Sequence, residues 1–223
     1  MKLLFVFSLL FSFLTSAAQK TVSSPDNNIK VSVSGGEALF LAVQFKDTEV
    51  LRPSEIGMSI KQMSADWRIR KASVQQKDEV IYPPIAEKRK VIRDYYNQLN
   101  IEFRSKISLQ VRVYNDGFAY RFTSRVNDSI TIAKEIARYA FPGNTTFYGS
   151  PVAKREDVDI FHTSFEEPYL IKPLDSISTD LLFFSPTMMS YPNGLKVVIT
   201  ESDLEDYPGM FLRFNQKKEL EGV

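Results

Sequence analysis

Apolar and polar residues alternate one for one over long stretches of this chain, and a period of two commits those stretches to β-strands with one dry and one wet face. Ile29, Val31 and Val33 alternate with Lys30 and Ser32, and Leu39, Leu41, Val43 and Phe45 carry the same pattern around Gln44. Gly35-Gly36 between them suits a tight hairpin turn. The clearest stretch sets Leu99, Ile101 and Phe103 against Asn100, Glu102 and Arg104. It is followed by Ile107, Leu109, Val111 and Val113 against Ser108, Gln110 and Arg112.

Turn chemistry separates these runs. Asn115-Asp116-Gly117 supplies residues that tolerate left-handed backbone, and Phe118, Tyr120 and Phe122 alternate with Ala119 and Arg121 on the way out. Asn193-Gly194 marks a second hairpin, between Met188–Tyr191 and Leu195–Thr200. Helical periodicity is absent. Many short strands without strand–helix alternation predict an all-β, antiparallel sandwich, and 17 Phe, 10 Tyr and one Trp suit two broad sheets packed face to face. Prolines, glycines and dense charge over 142–173 predict a long loop or set of loops, the usual seat of function on a rigid sheet.

Composition removes whole classes of chemistry. With no cysteine there is no disulfide, thiolate nucleophile, iron–sulfur cluster or Cys-type zinc site, and a lone His162 removes most histidine-ligated metals. Oxygen-ligand cations such as Ca²⁺ stay open. Lys2, the apolar run Leu3–Leu14 and the small residues Ser16-Ala17-Ala18 predict a secretory signal peptide over 1–18, cut before Gln19. The run is shorter than the roughly 20 apolar residues of a membrane span. No cysteine follows it, which excludes a lipoprotein, so the mature chain of 19–223 is expected free of the membrane. Removing Lys2 leaves basic and acidic residues level, which gives no field for nucleic acid. The basic stretch Lys88-Arg89-Lys90 with Arg93, answered by Glu87 and Asp94, is expected to be a solvated face.

Two segments concentrate carboxylates. Lys154–Asp159 followed by Phe165-Glu166-Glu167-Pro168-Tyr169 could hold a cation or sugar hydroxyls, with Phe165 or Tyr169 stacking on a pyranose, or could be a plain solvated loop. Glu201, Asp203, Glu205 and Asp206 precede Tyr207-Pro208-Gly209, but carboxylates on one loop do not face each other across a substrate as glycoside hydrolysis requires. His162 near Asp159 could be half of an acid–base pair or a surface residue. No nucleophile elbow, phosphate loop or dinucleotide fingerprint occurs.

Five ordered blocks carry a resemblance: Ser24–Asn28, Arg52–Gly57, Tyr96–Leu99, Val111–Phe122 and Ile199–Met210. They resemble the amino-terminal domain of glycoside hydrolase family 97 over essentially the whole mature chain. The resemblance implies a galactose-mutarotase-like β-super-sandwich from a periplasmic, exo-acting α-glycosidase, chiefly an α-glucosidase or α-galactosidase, acting on α-linked oligosaccharides. In that family the domain packs on a (β/α)₈ barrel of the same polypeptide, which carries the acid and the base or nucleophile. Such a barrel takes about 250 residues, so no catalytic residue is expected in this chain and it should hydrolyse nothing alone.

The resemblance also implies one shared ligand, a glutamate of this domain that helps bind a Ca²⁺ completed by the barrel. Setting the family's Glu-aromatic loop and following Leu-x-x-Ile against Phe165–Tyr169 and Leu174–Ile177 puts that role on Glu166, with Glu167 as the register alternative. Ser150–Thr163 departs from the family pattern as extra loop, and the 201–206 run is left structural, with Tyr207-Pro208-Gly209 as its turn. Three other classes compete. A free-standing periplasmic carbohydrate-binding module predicts sugar affinity without a barrel. A mutarotase-like epimerase needs histidine acid–base groups, and one histidine is too few. A purely structural domain gives Glu166 no role. If a barrel surface is missing, a large exposed apolar patch is expected.

Overall fold

The computed structural model describes residues 18–163 and 166–223. In chain order its strands are β1 (Ala18–Ser23), β2 (Ile29–Gly35), β3 (Leu39–Phe45), β4 (Thr48–Ile60), β5 (Ile69–Ile81), β6 (Ile92–Phe103), β7 (Ile107–Val113), β8 (Phe118–Ser124) and β9 (Ile132–Tyr139). They continue as β10 (Thr146–Gly149), β11 (Leu170–Pro173), β12 (Leu182–Phe184), β13 (Thr187–Ser190), β14 (Lys196–Ile199), β15 (Phe211–Phe214) and β16 (Leu220–Gly222). Among the described residues the one helical element is a 3₁₀ turn at Leu174–Ser176. The sandwich expected from the alternation is therefore present, as three antiparallel sheets. One has eight strands in the order β1-β2-β3-β4-β9-β16-β15-β12, and two have four, β5-β6-β7-β8 and β11-β10-β13-β14.

Register follows the pattern. Val31 pairs with Val43 and Val33 with Leu41 on the inner face of the large sheet, while Leu99 pairs with Val111 and Ile101 with Leu109 on the sheet facing it. All eight are buried in one hydrophobic cluster. A one-residue slip would turn every one of them to water, so burial fixes the register. Trp67 closes this half, its ring edge-on to Phe103 at 5.2 Å and tilted on Phe122 at 5.7 Å. The other half is closed by Phe147 of β10 against Phe183 of β12 and Phe214 of β15, at 4.7 and 5.0 Å. These edge-to-face pairs bind the second small sheet to the large one.

Three of the five blocks that carried the resemblance meet in space at one turn. Ser24 Oγ donates to Asp26 Oδ1 at 2.6 Å and accepts from the Ile29 N–H at 2.9 Å, while Asn28 donates to Asp26 from its side chain and its backbone. Asp26 N–H then donates to Asn115 Oδ1 at 3.1 Å, and Asn97 donates to the Ser23 carbonyl at 2.9 Å. The Ser24 hydroxyl first, then the Asn28 backbone N–H, hold the Asp26 carboxyl below its ordinary range. Three sequence-distant blocks thus form one polar clamp between the facing sheets.

Two expectations change. The 142–173 region contains β10 and β11, paired antiparallel from Thr146↔Pro173 to Gly149↔Leu170, with the loop confined to 150–169. Strands of four residues are too short to display a countable period. Arg93 pairs with Asp78 across the β5–β6 hairpin, two contacts of 2.7 Å, rather than with Asp94, which accepts from the Tyr114 hydroxyl. Cross-strand neighbours share a face where sequence neighbours do not.

Candidate functional site

The loop 150–169 leaves and returns to the same strand pair. Ser150 Oγ donates to the Glu167 carbonyl at 2.7 Å, and Val152 N–H donates to the Leu182 carbonyl at 2.7 Å, pinning the loop base to β10 and β12. Glu166 and Glu167 are both exposed beside that anchor, and Tyr169 is half-exposed one turn on. Phe165, named from sequence as a stacking ring, lies outside the described residues. Phe161 packs edge-on against Phe211 of β15 at 5.0 Å, which holds the outer part of the loop against the large sheet.

Glu166 and Glu167 are hard oxygen donors, suited to Ca²⁺ rather than to softer metals. Among the described residues no three metal-capable side chains come together. Two exposed carboxylates are oxygen donors of the kind such a cation takes and are only part of the 6–8 oxygens it needs. His162 is not paired for chemistry. Its Nδ1 lies 3.6 Å from Asp159 Oδ2 with both side chains mostly in solvent, and its backbone N–H caps a turn on the Asp159 carbonyl at 2.9 Å.

A second constellation lies at the opposite edge of the same small sheet. β14 ends one four-stranded sheet and β8 ends the other, and between these edges is a hollow of about 520 Å³ floored by residues of β4 and β9. At its base the Tyr120 and Tyr139 hydroxyls lie 2.8 Å apart. Burial, first of all, pushes the Tyr139 phenol up to about 12, with Glu135 and Glu201 adding repulsion. Burial pushes Tyr120 well above its ordinary value too.

The acidic run closes this hollow, and its turn is made differently from expectation. Tyr207 N–H donates to the Leu204 carbonyl at 2.9 Å, so the turn spans 204–207 and Pro208-Gly209 follow it. Glu201 accepts from the Met210 N–H at 2.7 Å, stapling the loop across its own base. Tyr207 donates to Glu135 Oε2 at 2.8 Å and is pushed up to about 12, by burial first and by Glu135 next. Beyond Tyr207 a second hollow of about 540 Å³ opens over a ladder in which Arg138 meets Glu55 and Glu221, and Arg213 meets Glu221 at 3.2 Å. Sequence inspection passed over Glu135 and the Tyr120–Tyr139 pair. Each looks like an ordinary member of an alternating strand, and only packing of one sheet on another brings them together.

Many of the exposed large apolar side chains of the described residues lie in two stretches of the chain. Val80, Ile81, Tyr82, Ile85 and Val91 crowd the end of the β5–β6 hairpin, and Val158, Ile160, Phe161, Tyr169 and Ile171 surround the 150–169 loop.

Comparison with known proteins places this arrangement. A curated retaining alpha-galactosidase of Bacteroides thetaiotaomicron is 32% identical over 220 residues, which are 95% of this chain and 33% of that protein. A glycoside hydrolase family 97 enzyme from Pseudoalteromonas sp. strain K8, solved in complex with acarbose, superposes with a TM-score of 0.75 at 22% identity, covering 92% of this chain and 31% of that one. A crystal structure of a beta-arabinopyranosidase superposes with a TM-score of 0.81 at 21% identity, over 92% of this chain and 35% of that one. The chain spans about a third of the length of each of these relatives. The family profile described as Glycosyl-hydrolase 97 N-terminal matches residues 22–223, and the chain belongs to that family.

Proposed function

We propose that this chain is the amino-terminal domain of an exported, periplasmic α-glycosidase. In it the 150–169 loop shapes the rim of the active site and lends Glu166, or Glu167 in the alternative register, to a shared Ca²⁺. The supporting observation is the family match over 22–223, in which this chain corresponds to about a third of each longer relative. The catalytic carboxylates then belong to a (β/α)₈ barrel of the same polypeptide and the substrate is an α-linked oligosaccharide. The 1–18 segment directs export. Bound between the two domains, the cation would supply charge stabilisation at the reacting sugar. This chain's own part is positional. The Ser150 hydroxyl holds the Glu167 carbonyl, so the carboxylate of the preceding residue is presented from a fixed backbone rather than a free loop.

Two measurements test this. The gene downstream of Val223, read in frame, should continue into a barrel with glutamates at its strand ends. In that whole polypeptide Glu166→Gln should weaken Ca²⁺ binding by at least about tenfold, while Glu201→Gln leaves it unchanged. A stop codon after Val223 overturns the assignment to a larger enzyme. Unaltered Ca²⁺ affinity in both Glu166→Gln and Glu167→Gln removes the ligand role alone.

A further inference from the structure

The seam between β8 and β14 holds more hydrogen-bonding capacity than the chain itself uses. Two phenols bring two hydroxyl hydrogens, and a single Tyr120–Tyr139 contact of 2.8 Å consumes one, whichever ring donates. Neither hydroxyl has another hydrogen-bond partner among the described residues, and Tyr139 is only 8% exposed. One donor therefore faces the hollow from a largely buried position, where an unmade hydrogen bond is costly. Glu135 and Glu201 stand at the same hollow with one donor each, Tyr207 and the Met210 N–H, although a carboxylate has room for more. β8 and β14 are sheet ends, so their backbone edges add unpaired groups along both walls. Apolar surface from Phe118, Val198 and Leu204 completes the lining, and the exposed ring of Tyr207 adjoins it.

A ligand that fits must accept from a phenol, donate to carboxylates, and offer apolar C–H surface to the walls. We propose that the seam is a binding site for a neutral saccharide of one or two rings, with Tyr120, Tyr139, Glu135 and Glu201 reading its hydroxyls and Tyr207 covering one face. A volume of about 520 Å³ is within the ordinary range for small-molecule sites. A hydroxyl accepts and donates through one atom, and a pyranose carries several of them around an apolar ring, so a sugar satisfies both sides of the seam at once. A bare cation would leave the phenolic hydrogen without an acceptor. The site is separate from the Glu166 loop, which adjoins β11 at the other edge of the same sheet.

The test is saturation-transfer NMR on this chain with methyl α-D-galactopyranoside and methyl α-D-glucopyranoside, in the presence of EDTA. Transfer to at least one probe is expected, weakened about tenfold or more in the Tyr120→Phe/Tyr139→Phe double variant, which keeps both rings and loses both hydroxyls. Should that variant fail to fold by circular dichroism, Glu135→Gln replaces it with the same expectation. Absence of transfer from both probes overturns the proposal, as does undiminished transfer in the variant that folds.

Discussion

Gly35 lies against the backbone of Trp67 so closely that a Cβ at that glycine would stand 2.1 Å from the Trp67 carbonyl oxygen. The segment carrying Trp67 must cross the edge of the β2–β3 hairpin to bring its ring onto Phe103 and Phe122, and only a residue without a side chain lets it pass. Gly35→Ala should destabilise the chain by about 2–3 kcal/mol, the upper part of the range for overpacking, because the added methyl meets a backbone oxygen and no flexible side chain can yield. Gly36 has nothing within 4 Å of such a Cβ, so Gly36→Ala should stay within about 0.5 kcal/mol of wild type. Urea denaturation of the two variants compares them directly, and equal midpoints would sink the account.

The junction of the β10 sheet with the large sheet predicts a non-additive pair. A Cβ at Gly149 would meet the Phe147 ring at 2.3 Å. Gly149→Ala is expected to be strongly destabilising in wild type and much less so once the ring is gone. Phe147→Ala alone should cost about 3–5 kcal/mol, since the ring is fully buried against Phe183 and Phe214. A double-mutant cycle by thermal unfolding reads the coupling, and strictly additive values would mean that the ring and the glycine do not compete for space.

Tyr191 fastens the same region from the other side. Its buried hydroxyl donates to the Val50 carbonyl of β4 at 2.6 Å. Tyr191→Phe keeps the ring and deprives the Val50 carbonyl of that donor, so a loss of about 1 kcal/mol is expected. Native-state hydrogen exchange should show the β13–β14 hairpin opening more readily than β2–β3, and uniform loss of protection would count against a local fastening.

Alkali should loosen the seam in a defined window. Tyr139 and Tyr207 keep their protons to about pH 12, through burial first and the neighbouring glutamates after, whereas in the unfolded chain they ionise near 10. Between those values the native state holds more protons. Stability is therefore complete below pH 10 and falls as pH rises through 12. Stability against pH should decline over 10–12 in wild type and decline less in Tyr139→Phe. A profile that is flat through the window, or the same in both, would refute it.

Period-two alternation sufficed for β2, β3, β7, β8 and the last five residues of β6, because a strand with one buried face writes its period into the chain. The same signal was silent for β10, β11, β12 and β16, which are three or four residues long. The loop carrying Glu166 and Glu167 was legible as punctuation and charge, but its anchoring through Ser150 was not.

What the sequence by itself determined is the antiparallel all-β class, the main hairpins and, through its ordered blocks, the family. Those are properties of near neighbours and of blocks read in order. What only the tertiary structure decided is which distant residues share a surface: Asp78 with Arg93, Asp26 with Asn115, and Tyr120 with Tyr139 over Glu135 and Glu201. The physical reason is that a strand's pattern states which face is dry but not what lies across the dry space. Sheet order and the packing of one layer on another set that, and both are fixed by burial summed over the whole core rather than by any local run of residues.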